Sequence, residues 1–248
     1  MTFRMTVSPD FSPDYIAGWY IFNTWLQNQL GEAIHLELFD SFDDQRKEIN
    51  EDKIDLIFAN PYDASTLIRD KGFIAVAAPS GKSDEAVICV ATDSDFSSVE
   101  DLKQNCNISM ADDPEVNTIG MIMLEPADLN KDNINISELR NYVMVAKSLI
   151  NQQSDAGFFL KESYDNMSKF IKSQIRPIIT SEISVITHSF LVGPKMAHRV
   201  EDIRKLLNDM HTIDKGPGVL ASLGFESWKN QEQEDAEFMI DLMHTLVT

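Results

Sequence analysis

The sequence predicts an α/β fold made of two βαβ-type lobes. Three observations carry this. Strand and helix patterns alternate from Phe3 onward. Apolar strands end in short polar loops, and one strand-and-loop run recurs in each half. The two runs are KIDLIFANPYDAS, from Lys53 to Ser65, and QSDAGFFLKESYD, from Gln153 to Asp165. Each sets an Asp (Asp55 or Asp155) before an apolar strand and a Tyr (Tyr62 or Tyr164) after it. Open α/β sheets take ligands outside the carboxyl ends of their strands. Two such runs therefore predict two lobes facing each other across an interlobe cleft.

In the first lobe, Phe3 to Val7 alternates like a strand, and SPDFSPDY breaks it with two prolines. Tyr15 to Leu30 has helical apolar spacing at Ile16, Trp19, Tyr20, Phe22, Leu26 and Leu30, and Gly31 stops it. His35 to Phe39 reads as a strand, Phe42 to Asn50 as a polar helix and IDLIFA as a buried strand. Pro61 to Lys71 reads as a helix and Ile74 to Ala78 as a strand. This alternation implies a parallel sheet covered by helices.

In the second lobe, Ala86 to Thr92 is an apolar strand, Ser98 to Leu102 a short helix and Asn107 to Ala111 a strand. Asp112 to Thr118 reads as a polar loop before a helix from Ile119 to Leu124. Asn141 to Gln153 is helical, Ala156 to Leu160 a strand, and Ile178 to Thr180 and Ile183 to Thr187 further strands. Phe190 to Val192 begins the return. Ala197 to Met210 and Glu234 to Leu246 are amphipathic helices, with a GPG turn at Gly216 to Gly218 between them. The order fits one lobe inserted into another, with crossings near residues 80–86 and 181–188. The boundaries are 1–83 with 187–248 for lobe 1, and 84–186 for lobe 2.

Charge excludes whole classes of partner. The chain of 248 residues has 21 basic and 40 acidic residues, a net charge of −19. That opposes nucleic acid and anionic membrane surfaces, which demand clustered cations. No stretch approaches the ~20 apolar residues of a bilayer span, so no membrane insertion is expected. The first residues lack the apolar core of a signal peptide, which fits a cytoplasmic chain or a mature portion behind an added Met. Cys89 and Cys106 are expected as two free thiols, with a disulfide as the alternative.

The leading site candidate is DDPEVNTIGMIML, Asp112 to Leu124. It links a strand to a helix and sets Asn117, Thr118 and Gly120 at the turn. Free N–H groups and the helix dipole favour an anion there. In the alternative, Asn117 or Thr118 simply caps the helix. Asn60-Pro61-Tyr62 follows the IDLIFA strand and offers Asn60 and Tyr62. The PDFSPDY loop offers Ser8, Ser12 and Tyr15, or a cap from Ser12 or Asp14.

Signals for catalysis and metals are missing. The five histidines show no zinc spacing, and there is no CxxC, GxSxG, GxxxxGK[ST] or GxGxxG. Asp128 to Leu139 begins like a calcium loop but has Asn133 where Gly is needed and Leu139 where Glu is needed. No catalytic residue, cofactor or metal is expected. His188, near the second crossing, is the residue an enzymatic reading would use; its plainer role is packing.

With these segments in view, the chain resembles the substrate-binding proteins of phosphate/phosphite/phosphonate ABC transporters, a branch of the type II periplasmic binding proteins. The resemblance spans nearly the whole chain. It rests on the opening strand, Pro-rich loop and long helix ending Leu30-Gly31; on IDLIFANPYDAS; on SSVEDLKQNCNISMADDPEVNTIG; on QSDAGFF; and on GPGVLASLGFESW. It implies two lobes joined by a two-strand hinge and closing on a small ligand. It also implies an extracytoplasmic location with the leader removed, and an ABC transporter permease as partner. The ligand's phosphonate-like head is expected at the turn before the second-lobe helix. Asp113, Pro114, Thr118 and Gly120 match the family's pattern there. Val116, Asn117 and Ile119 replace its other hydroxyl positions, and Asn141-Tyr142-Val143 lacks the family's His. Tyr15 and Tyr62 fall on the implied first-lobe wall and Asp155 on the second.

The expected function is thus capture of a small polar or anionic solute for an importer. The expected ligand-binding residues are Ser8, Tyr15, Asn60, Tyr62, Asn117, Thr118, Ile119 and Asp155. A sensing domain of a membrane receptor and a biosynthetic enzyme on the same scaffold are the alternatives.

Overall fold

The alternating residues of β1 (Phe3–Val7) start a parallel sheet, with β2 (Ile34–Leu36) on one side and β3 (Leu56–Ala59) on the other. The computed structural model describes residues 2–11, 13–183 and 186–247, and elements are numbered in chain order. The chain divides into two units, Met1–Lys82 with Thr187–Met243, and Ser83–Ile186 with His244–Thr248.

The sheet of the first unit has the order β11-β4-β10-β3-β1-β2. Here β4 is Ile74–Pro79, β10 is Ser189–Val192 and β11 is Trp228–Asn230. β10 runs antiparallel between β3 and β4, so the sheet is mixed rather than wholly parallel. On one face α1 (Ile16–Leu30), α8 (Val200–Asn208) and α9 (Gly216–Leu223) bury Trp19, Phe22, Leu26, Ile203, Leu207 and Leu220 with Met5, Phe58, Phe190 and Trp228. Gly18 lets α1 and α9 touch: a Cβ there would lie 2.0 Å from the Ser222 carbonyl oxygen. The other face carries α3 (Pro61–Arg69) and α10 (Gln233–Val247), with Ile57, Ala59, Leu67, Leu191, Ala236 and Ile240 buried together. α2 (Phe42–Asn50) starts at Ser41, whose side chain accepts from the Asp44 N–H.

The sheet of the second unit has the order β7-β6-β8-β5-β9. Its strands are β5 (Ala86–Ala91), β6 (Asn107–Ala111), β7 (Asn135–Leu139), β8 (Ala156–Leu160) and β9 (Ile175–Thr180). β6 is parallel to β7 and β8, and β5 is antiparallel to β8 and β9. Its helices are α4 (Pro114–Met123), α5 (Tyr142–Ile150), α6 (Lys161–Asp165) and α7 (Lys169–Lys172). Cys89 and Cys106 are both free and buried, and burial raises both thiol pKa values.

Several local expectations change. Residues 114–118 are not a loop: Asp113 caps α4, and Pro114 at the first position starts it five residues early. Gly216 to Gly218 is the first turn of α9 rather than a free turn. β2 ends at Leu36 instead of Phe39. Ser12, expected in a loop, and Ser184 and Val185, expected in a strand, lie outside the described residues.

Candidate functional site

At the carboxyl ends of β1 and β3, the first unit gathers buried polar side chains. Ser8 follows β1 and is 1% exposed; Asn60 follows β3 and is fully buried. β10 runs the other way, with Ser189 opposite Ala59, so His188 enters at this same end. β3 is wholly apolar, and the polar Asn60 begins where it stops.

These side chains form one hydrogen-bonded series. Arg46 Nε donates to Asp63 Oδ1 at 2.7 Å. Asn60 Nδ2 donates to Asp63 Oδ2 and to Ser8 Oγ, both at 3.1 Å. Ser8 in turn hydrogen-bonds Asp10, and Asp10 meets His188 Nε2 at 3.0 and 3.1 Å. The His188 ring stacks on Phe58, with centroids 5.1 Å apart. Burial alone would raise the Asp10 carboxyl. The charge of His188 and hydrogen bonds from His188 and Ser8 outweigh it and lower the Asp10 pKa.

Asn60 has a second duty as the cap of α3, accepting from the Asp63 N–H at 2.7 Å. Tyr62, in the first turn of α3, is 54% exposed, with the Arg46 guanidinium 5.1 Å from its ring centre. Tyr15 is half-buried and packs on Gly224, and Lys82 lies 5.6 Å from its ring centre. Of the expected first-unit residues, Ser8 and Asn60 are thus brought into one network.

In the second unit the expected turn is arranged differently. Asp113 accepts from the Val116 N–H at 3.2 Å, and its backbone carbonyl from the Asn117 N–H at 2.9 Å. The Tyr142 hydroxyl donates to Asp113 Oδ2 at 2.5 Å. Neither Asn117 nor Thr118 is the cap; both lie inside the helix. Asn117 Nδ2 donates to the Ala111 carbonyl at 2.8 Å, and Thr118 is half-buried. Ile119 is 1% exposed and belongs to the core, because it falls on the inward face of a helix that starts earlier than expected. Asp155 is not brought to this end of the sheet. Its carboxylate accepts from the Asn107 N–H at 2.7 Å, at the start of β6, whereas α4 follows the end of β6. This is the structural role of an Asp at the head of a strand.

Sequence reasoning missed Asp10, Asp63, Arg46 and Tyr142. The Asn60-to-Asp63 cap spacing was a readable signal for Asp63. Asp10 and Tyr142 meet partners 178 and 29 residues away, which no local pattern shows. Among the described residues, no group of three or more His, Cys, Asp or Glu could hold a metal ion, and no helix is long and apolar enough to cross a membrane.

Comparison with known proteins bears on this arrangement. The fold is similar to that of PhnD1 from Prochlorococcus marinus (MIT 9301) in complex with methylphosphonate. That match has a TM-score of 0.83 and 12% identity and covers 99% of this chain and 98% of the other. It is also similar to XAC2383 from Xanthomonas citri bound to ATP (TM-score 0.79, 11% identity, 99% and 98% covered). The periplasmic aliphatic sulphonate binding protein SsuA from Escherichia coli follows (TM-score 0.71, 13% identity, 98% and 87% covered). No curated protein sequence matches the chain. The family described as "ABC transporter, phosphonate, periplasmic substrate-binding protein" matches residues 5–236, nearly the whole chain, and the chain belongs to that family.

Proposed function

We propose that this protein captures a small polar or anionic solute outside the cytoplasm and delivers it to the permease of an ABC importer. The observation that carries the reading is the buried polar series at the strand ends of the first unit, in a chain of this family. Polar groups that are this deeply buried are costly unless paired, and their place at the strand ends is where such sheets take ligands. In this reading the protein does no bond chemistry.

The family name suggests a phosphonate-like head group, as does the methylphosphonate bound by PhnD1. Two features favour a neutral or singly charged head over a dianion. The Asp113 carboxylate caps the N-terminus of α4, and Val116, Asn117 and Ile119 bring no hydroxyl. A thermal-shift panel of methylphosphonate, phosphite, phosphate, methanesulfonate, carboxylates and amino acids tests the reading. A solute at a hundredfold excess over its Kd stabilises the folded chain by about 2.7 kcal/mol, roughly 5–10 °C at this size. A panel in which nothing raises Tm would reject it.

A further inference from the structure

We propose that the face built by α1 and α9 is the contact surface between two copies of this chain, set against each other about a twofold axis. This face shares no residue with the polar series of the candidate site.

Charge marks the face out. Charged residues make up 25% of the chain, yet the 15 residues of α1 and the 8 of α9 include none. Each of the other α-helices carries at least one. The two uncharged helices touch, because Gly18 brings α1 onto the Ser222 carbonyl. Charge returns at the margins, at Asp14 before α1 and at Lys215 before α9.

The face is also apolar and rigid. Ile16, Tyr20 and Ile21 are 42%, 51% and 49% exposed. Tyr20 follows Ile16 by about one turn and Ile21 adjoins it, so the three share the solvent side of α1. Trp19, Phe22 and Leu26 fix the opposite side in the core. The hydroxyls of Thr24 and Ser222 donate to the Tyr20 and Val219 carbonyls, at 2.9 and 2.7 Å, within their own helices. Single exposed apolar side chains are ordinary, whereas a cluster of them rimmed by polar residues marks an interaction site.

The occupant follows from charge. Two copies carry −19 each, so most approaches set like charges together. Across the α1 and α9 face there are none to repel. A twofold axis sets one patch against itself, and an uncharged apolar patch is complementary to itself. A charged partner would find nothing to pair with on these helices.

The test is sedimentation of the full chain over a concentration series up to about 0.5 mM, where a pair with a Kd of about 0.1 mM is largely formed. Wild type should form a reversible dimer. Its Kd should fall severalfold between about 0.05 M and about 0.5 M salt, because screening removes repulsion between the acidic surfaces and leaves the apolar contact intact. Y20E and I21E should each weaken pairing roughly tenfold or more, since each brings two like charges into the contact. Their circular-dichroism melts should stay cooperative, as both side chains are exposed. F170E, at an exposed Phe of the second unit, should pair as wild type does. A wild-type chain that is monomeric throughout, a dimer loosened by salt, or Y20E and I21E that pair normally would each overturn the proposal. The salt series needs no variant and decides even where neither variant folds. A monomeric wild type whose Y20E variant loses stimulation of ATP hydrolysis by the reconstituted importer would give the face to the permease instead.

Discussion

At Asp10 two opposing effects act on one carboxyl group. Burial disfavours its charge, and His188 and Ser8 favour it more strongly, so its pKa lies below the usual aspartate range in the folded chain. A depressed folded pKa gives stability that is present above the unfolded value of about 3.9. That stability is lost as pH falls through the lower folded value. D10N removes the titrating group. Its Tm should therefore decline less steeply than that of wild type as pH is lowered below about 4, although it starts lower at pH 7. Parallel acid limbs for the two proteins would show that the pair contributes nothing to pH-dependent stability. Asp155 gives a contrasting lesson at this scale. Its place before an apolar strand was legible, but its partner Asn107 on the neighbouring strand was not. An Asp that bonds the neighbouring strand and one that bonds a ligand look alike in sequence.

Among elements, α4 shows how far reading by local pattern reaches. Its existence and its place after β6 were legible from the apolar spacing of Ile119, Met123 and Leu124. Its start was not, because DDPEVNT looks like a polar loop. Asp at the cap and Pro at the first position are the start signal, and they outweigh the polarity of Glu115 and Asn117. With the start moved by five residues, Ile119, expected among the ligand-binding residues, falls in the core. β7 was missed for a related reason: NISEL is almost wholly exposed, an edge strand without an apolar face. Gly120 sits where α4 crosses β8, and a Cβ there would lie 2.5 Å from the Phe158 ring. G120A should lose roughly 1–3 kcal/mol by overpacking, read from the midpoint of urea unfolding. An unchanged midpoint would mean that the helix can move away from the sheet without cost.

For the whole molecule, the βαβ alternation and the insertion of one segment set within another made the fold class readable. The antiparallel return of β10 was not, since period-two patterning carries no strand direction. The chain leaves the first unit after Lys82 and re-enters it at Thr187. Just inside the second unit the two passing segments are tied to each other. The Asp84 N–H donates to the Ile186 carbonyl at 2.8 Å, and the Ser181 N–H to the Ala86 carbonyl at 2.9 Å. Buried Glu85 accepts from the Ile183 N–H at 3.0 Å and from the Ser181 hydroxyl. E85A strands these donors and should cost roughly 1–3 kcal/mol. Hydrogen exchange at Ile183 should speed up accordingly; exchange at the wild-type rate would argue that the segments are held by their backbone alone.

The matched aspartates that begin the two recurring runs act on the strand ends from a distance. Asp55 takes the Arg4 N–H with its carboxylate and gives its own N–H to the Arg4 carbonyl, both at 2.9 Å. Asp155 does the same with Asn107, at 2.7 and 2.8 Å. Each is a phase mark at the head of a strand only four or five residues long. Side chains alternate faces along a strand, so a slip of one residue would turn every later side chain over. Asn60 would then arrive on the wrong side of the sheet, and Ser8 would lose its donor. What the far end of each strand presents is decided at its beginning, by a carboxylate that bonds the neighbouring strand.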